Sequence, residues 1–258
     1  MPSADNSTED TLDLKLPQEV LVLFADVPDA TGATDATGDV KDTAGTADDG
    51  GADPGAGAGA DSAAARTSPG LLDHVGNWPS APTPAGTFRL VPVEPARDLA
   101  LVTRWMNDPA VAEFWELAGE QRITEDHLRA QVEGDGRSVP CLGVLDGTPM
   151  SYWEIYRADL DPVARYYPAR PQDTGIHLLI GGVADRARGL GGTLLRAVSD
   201  LVLDQRPGCR RVIAEPDLRN TPSVAAFLSA GFRFAAEVEL PEKRAALMVR
   251  DRALRDRI

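Results

Sequence analysis

From Thr87 onward, apolar residues fall into short alternating runs and helical spacings that follow one another closely. Phe88–Val93 predicts a strand, and Leu99, Val102, Trp105 and Met106 recur at helical intervals. Asp108-Pro109 predicts a helix cap with proline in the first turn, opening a short helix that carries Val111, Phe114 and Trp115. Thr124-Glu-Asp-His127 predicts the start of another helix. Two strands, Val139–Leu145 and Met150–Tyr156, follow with a turn at Asp146-Gly147. Residues 158–174 predict a polar loop. The pattern then runs strand Gly175–Val183, helix Gly189–Asp204, strand Arg211–Ala214, helix Pro222–Ala230 and strands Phe232–Leu240 and Arg244–Arg250. Such an order predicts an α/β fold, an α+β mixed sheet with helices on its faces.

The N-terminal third reads differently. Residues 29–70 are mostly Ala, Gly, Asp and Thr, with Val40 as the one large apolar side chain, so they bury too little surface to offset their ordering entropy. Ahead of them Glu19–Phe24 is a β-prone run that either docks on the main domain or stands as a separate peptide motif. The expected division is an N-terminal segment 1–28, a disordered linker 29–85 punctuated by Pro79, Pro82 and Pro84, and a folded domain 86–258. The formal charge of −14 is concentrated in the first third: residues 1–80 hold 15 Asp+Glu against 3 Lys+Arg, and the rest 25 against 23. A near-neutral folded part without a basic stripe argues against nucleic acid. No run approaches the roughly 18 apolar residues of a membrane span, and the acidic start lacks a signal peptide's pattern, so a cytoplasmic protein is expected. Cys141 and Cys209 are isolated, which predicts neither a disulfide framework nor a metal site.

The segment with most chemistry is Ile180-Gly-Gly-Val-Ala-Asp-Arg186-Ala-Arg188-Gly-Leu-Gly-Gly-Thr193, between a strand and a helix. Its glycines let backbone amides approach a ligand, and the helix that follows points its positive end at the same place, as in a pyrophosphate cradle. No Gly-Lys-Ser/Thr ends the loop, and Gly189-Leu-Gly191-Gly192 is too compact for a dinucleotide fingerprint. Strand alternation places Gly175, His177 and Leu179 on one face, with His177 a few residues before this loop. An imidazole there titrates near neutrality and is suited to accept a proton from an attacking nitrogen.

The Arg-x-x-Gly-x-Gly turn, here Arg186 to Gly191, resembles that of the GCN5-related N-acetyltransferases (GNAT), whose fold binds acyl-CoA. The resemblance implies that Ile180, Gly181, Gly182 and Val183 meet the pantetheine arm. Arg186, Arg188, Gly189, Leu190, Gly191, Gly192 and Thr193 would hold the phosphates, with Asn220 approaching the cofactor. Tyr152-Trp-Glu154-Ile-Tyr156, Gly175–Gly181, Glu215-Pro-Asp217, Arg104–Pro109 and Phe114-Trp115 are similar to the siderophore-biosynthesis branch, which acylates lysine, N6-hydroxylysine or N-hydroxycadaverine. The likeness spans about residues 86–250.

His177 and Asp217 are the expected catalytic pair, Asp217 orienting His177 or holding a cationic substrate nitrogen. Glu154, Trp115 and Tyr152 are assigned to the acceptor pocket, while His74 and His127 read as linker and surface residues. The expected donor is acyl-CoA (acetyl or succinyl) or an acyl carrier protein, with no metal; the expected partners are a small amine or hydroxylamine and an acyl carrier protein or siderophore synthetase. The competing readings are an aminoglycoside or polyamine N-acetyltransferase and a non-catalytic acyl-CoA-binding interaction module.

Overall fold

The computed structural model describes residues 72, 74–186 and 188–257. The β-prone run at 19–24 and the Ala/Gly/Asp-rich segment at 29–70 lie outside them. The described strands are β1 (Ala81–Thr83), β2 (Gly86–Pro92), β3 (Ser138–Leu145), β4 (Thr148–Arg157), β5 (Thr174–Ile180), β6 (Arg211–Ala214), β7 (Arg233–Glu239) and β8 (Arg244–Asp251). The helices are α1 (Pro95–Met106), α2 (Pro109–Trp115), α3 (Gln121–Val132), α4 (Leu190–Gln205) and α5 (Thr221–Ser229). The strands form one mixed sheet in the order β1-β2-β3-β4-β5-β6-β8-β7, in which β5 and β6 are the parallel neighbours.

Alternation along β4 and β5 separates two cores. Trp153, Ile155 and Ile176 point to the face covered by α4 and α5, packing with Leu194, Val198, Val202 and Phe227. Tyr152 and Leu179 point to the other face, against Val102, Trp105 and Met106 of α1, Val111 of α2 and Leu128 of α3. Further along that second face, Tyr156 and Ile213 pack with Val163 and Tyr167 from the 158–174 connection, whose middle (Pro162–Arg165) is a 3-10 turn capped by Asp161. The front of the sheet is thus covered from two sides, and polar side chains occupy the space between.

Three boundaries depart from the sequence expectation. The folded chain starts before residue 86: Leu72 and Val75 are 2% and 1% exposed in the α4/α5-side core, and Ala81–Thr83 pairs with β2. The prolines that resemble linker punctuation are compatible with this, because a sheet edge tolerates Pro82. Helix α3 begins at Gln121, not Thr124, whose side chain is buried within its first turns. Strand β5 stops at Ile180, and Val183–Asp185 is a 3-10 turn. Asp108 does cap α2, accepting from the Ala110 amide at 3.1 Å. Among the described residues no helix is long and apolar enough to cross a membrane.

Candidate active site

Strands β5 and β6 share two ladder pairs, Thr174↔Val212 and Gly175↔Ile213, and then diverge. The divergence opens a cavity of about 500 Å³ walled by Ile176, His177 and Leu178 on one side and Ala214 to Asp217 on the other. Phe114 and Trp115 of α2, His127 of α3, Glu154 of β4, Asn220, Phe227 of α5, and Glu242 and Lys243 add to its lining.

The centre of this cavity is a chain of acids and imidazoles. Glu154 and His177 face each other across the β4–β5 ladder. His177 Nδ1 donates to Glu154 Oε2 at 2.9 Å, and its Nε2 donates to Glu215 Oε1. Glu154 Oε1 also accepts from the Tyr152 hydroxyl at 2.9 Å, the Gln131 amide at 2.8 Å and His127 Nε2 at 2.6 Å. Ser138 donates to the Gln131 carbonyl oxygen and so fixes that amide's orientation. Glu215 Oε2 accepts from the Tyr156 hydroxyl at 2.7 Å. Burial opposes charge on both carboxylates, but these donors outweigh it: Glu154 is held well below the carboxylate range and Glu215 is pulled down to about 2. Burial likewise opposes charge on His177, and the Glu215 and Glu154 charges override it, raising the imidazole from 6.5 to about 10. Its ring stays 35% exposed toward the cleft, so water screens part of that attraction. At neutral pH the unit is an imidazolium between two carboxylates, with one net negative charge.

Gly175 makes this arrangement possible. A Cβ there would run into the Tyr156 ring, its cross-strand partner. That ring lies 4.7 Å from the His177 ring while its hydroxyl holds Glu215. Trp115 stands edge-on to both His177 and Tyr152.

At the glycine-rich turn, Gly189 is the N-cap of α4 with φ 73°, a conformation that favours glycine, and no side chain caps the helix. The first amides of α4 are thereby left for an anion, and Arg188, 64% exposed, stands beside them. This end fits a pyrophosphate. Other residues of the motif are already engaged. Arg186 donates to the carbonyls of Ile180 (2.9 Å) and Gly181 (3.0 Å) and to Asp108 (2.7 Å), so it braces the strand end and the α2 cap; it is not a free phosphate ligand. The Gly181 amide donates to the Met150 carbonyl, and a Cβ on Gly181 would enter the Trp105 indole. Gly192 makes room for Ser229, allowing α4 and α5 to approach closely. Gly182 and Val183 follow the strand end, and Leu190, Gly191 and Thr193 form the first turn of α4.

The remaining candidates divide. Trp115 and Asn220 line the cavity, and Asn220 also caps α5 through the Ser223 amide. Tyr152 is fully buried and touches Glu154, so it supports the acid and does not line the pocket. Asp217 lines the cavity but pairs with Arg219 at 2.7 Å, which lowers its carboxyl; the orienting role expected of it at His177 falls to Glu215 and Glu154. His127 is no bystander of the surface: it binds Glu154. The signal for it is the His127/Gln131 spacing of four on α3, flanking the buried Thr124/Leu128 stripe. Period two puts Glu215 on the same face as Ile213, but it does the same for Asp217, so that pattern does not choose between the two acids.

Comparison with known proteins agrees with this geometry. Residues 94–240 match the family model of the acetyltransferase (GNAT) domain. A lysine N-acyltransferase, MbtK, of Mycobacterium sp. (strain MCS) is 36% identical over 179 residues, covering 69% of this chain and 73% of the relative. An N(6)-hydroxylysine O-acetyltransferase of Escherichia coli is 34% identical over 166 residues, 64% of this chain and 52% of that protein. The solved aminoglycoside acetyltransferase AAC(6')-Ib in complex with coenzyme A superposes with a TM-score of 0.59 over 66% of this chain and 98% of that one; at 24% identity it speaks to fold alone. A matching domain model over more than half the chain, on a splayed sheet with an uncapped glycine turn at the cleft, makes this protein a member of the GNAT acetyltransferase family.

Proposed function

We propose that the protein transfers an acyl group from acyl-CoA, acetyl or succinyl, to the side-chain nitrogen of lysine, N6-hydroxylysine or N-hydroxycadaverine in hydroxamate-siderophore assembly. The observation that carries the reading is the Glu154–His177–Glu215 unit, set where β5 and β6 part and bearing one net negative charge toward a nitrogen acceptor. The names of the relatives support a lysine-type acceptor.

The donor supplies an activated thioester; bond making is N–C, bond breaking is C–S, and the nitrogen's proton ends on the departing thiol or in solvent. The free α4 amides and Arg188 suit the donor's phosphates, while Trp115 and Phe114 wall the acceptor side. His177 begins protonated, with both N–H groups given to carboxylates, so it is not a ready base in the free protein. An ammonium entering beside it repels its charge and favours release of that proton to solvent; the neutral imidazole then takes one proton from the ammonium, and the proton left on nitrogen after attack is the one that goes to the departing thiol. A hydroxylamine arrives neutral and needs less of this help. Neither cysteine serves as a nucleophile: both are buried, and burial pushes both thiols up.

The test is free-thiol release from acetyl-CoA and succinyl-CoA with lysine, N6-hydroxylysine, cadaverine, N-hydroxycadaverine and kanamycin. Turnover is expected with lysine or the hydroxylamines, and His177→Ala should lose more activity on the amine than on its hydroxylamine. Preference for kanamycin, or equal losses on the paired acceptors, overturns the corresponding part of the reading.

A further inference from the structure

Beyond the His127–Glu154–His177 wall lies a second cavity of about 390 Å³ that shares those three side chains with the first. Its remaining lining sets side chains of both charges, Asp135, Arg137, Arg157 and Asp161, among apolar surface from Ala130, Leu160 and Pro162. Arg157 is committed to Asp159 through two hydrogen bonds of 2.8 Å. Arg137 is half exposed and held by an exposed partner, Asp135, at 2.6 Å, an ion pair that exchanges at little cost. Asp161 uses Oδ1 to cap Val163 at 2.9 Å. Burial raises its carboxyl, and the nearby Glu215 and Glu154 charges add to this; those two charges, with Asp161's own, favour a cation in this cavity.

Spacing matches charge. Ser138 stands across the ladder from Tyr156, and Tyr156 is two residues along β4 from Glu154, about 7 Å. Arg137 is one residue further, its carbonyl accepting from the Arg157 amide at 2.8 Å. A four-methylene amine stem and an arginine side chain together bridge that interval. Resting on the acceptor class proposed above, we infer that the second cavity receives the α-amino-acid head of the acceptor, its carboxylate against Arg137 and its ammonium against Asp161. The preferred acceptor is then lysine or N6-hydroxylysine, in which both groups are present, and not a diamine. A polycation gains nothing from Arg137.

The variants are Arg137→Gln, at an exposed position, and Asp161→Asn, which retains an oxygen for the Val163 cap. KM for lysine and N6-hydroxylysine is measured beside that for cadaverine and N-hydroxycadaverine, and calorimetry follows lysine and cadaverine binding directly. Arg137→Gln should raise KM for the amino acids about ten-fold relative to the diamines. Asp161→Asn should act the same way on lysine but not on Nα-acetyl-lysine, which has no α-ammonium. Amino-acid turnover with no such selectivity in either variant overturns the subsite and leaves the acyltransfer reading intact. Arg137-dependent lysine binding without thiol release from any acceptor supports the subsite and overturns that reading. Absence of lysine binding and turnover in the wild type overturns both.

Discussion

Glu215→Gln isolates the electrostatics of the site with little change of shape. The glutamine carbonyl continues to accept from His177 Nε2, and its amide donates to the Tyr156 hydroxyl oxygen; the loss is one charge. In the native protein Glu215 and Glu154 together hold the His177 imidazolium up to about 10 from 6.5. An opposite charge in direct contact is worth about 1–3 pH units, so with Glu154 alone the ring should titrate at about 7–9. The linked stability has a definite pH window. A raised histidine pKa contributes fully below 6.5 and is lost as pH rises through about 10, whereas a depressed Glu215 contributes above 4.5 and is lost as pH falls toward about 2. The stability lost by Glu215→Gln should therefore be greatest between about pH 5 and 6.5 and shrink toward pH 10. Allowing for screening at a ring 35% exposed, its size there is about 1–2 kcal/mol. NMR titration of the His177 imidazole, assigned by comparison with His177→Ala, and urea unfolding at pH 5.5, 7.5 and 10 supply the readouts. A native His177 titrating near 6.5, or a variant ring unmoved from the native value, refutes the reasoning.

Gly175→Ala should cost about 1–3 kcal/mol by forcing Tyr156 aside, and activity should fall below what the surviving folded fraction explains, since Tyr156 holds Glu215; thermal melts and kcat of the same preparation compare the two losses. Gly189→Ala should destabilise by about 1 kcal/mol through its positive φ, and coenzyme A should then raise Tm less at a given concentration than in the native protein. Iodoacetamide at neutral pH should leave thiol release from acetyl-CoA unchanged, because Cys141 and Cys209 are buried with their thiols pushed up; rapid inactivation of the folded protein would contradict this.

The central frame is legible because alternation and helical spacing report burial directly. The face that His177 shares with Gly175 and Leu179 and the Asp108 cap both follow from local pattern. What escaped depends on partners distant in sequence. Glu215 and Asp217 are both acids after one strand; only the position of Tyr156, 59 residues earlier, shows which one turns toward His177. His127 becomes part of the site because α3 is laid across β4; its own helix shows only that His127 and Gln131 share one side. Arg186 has the composition of a phosphate ligand, yet Asp108, 78 residues away, and two strand-end carbonyls claim it. Leu72 and Val75 are too few to form a recognisable period, although α4 supplies the core they join.

The short β5–β6 ladder also has a mechanical consequence. It divides the sheet into a five-stranded and a three-stranded leaf joined by two residue pairs, while Ile176, Val212, Ala214 and Phe227 bind the leaves together beneath α4 and α5. On the front, Tyr156 and Ile213 pack with Val163 and Tyr167 below the split, and at the split itself the leaves are joined by the hydrogen bonds of His177 and Tyr156 to Glu215. The leaves form a book with its spine at that two-pair ladder, whose opening stretches few backbone bonds. The bonds of His177 and Tyr156 to Glu215 are the clasp across that opening, so their exchange and movement of the leaves draw on the same contacts.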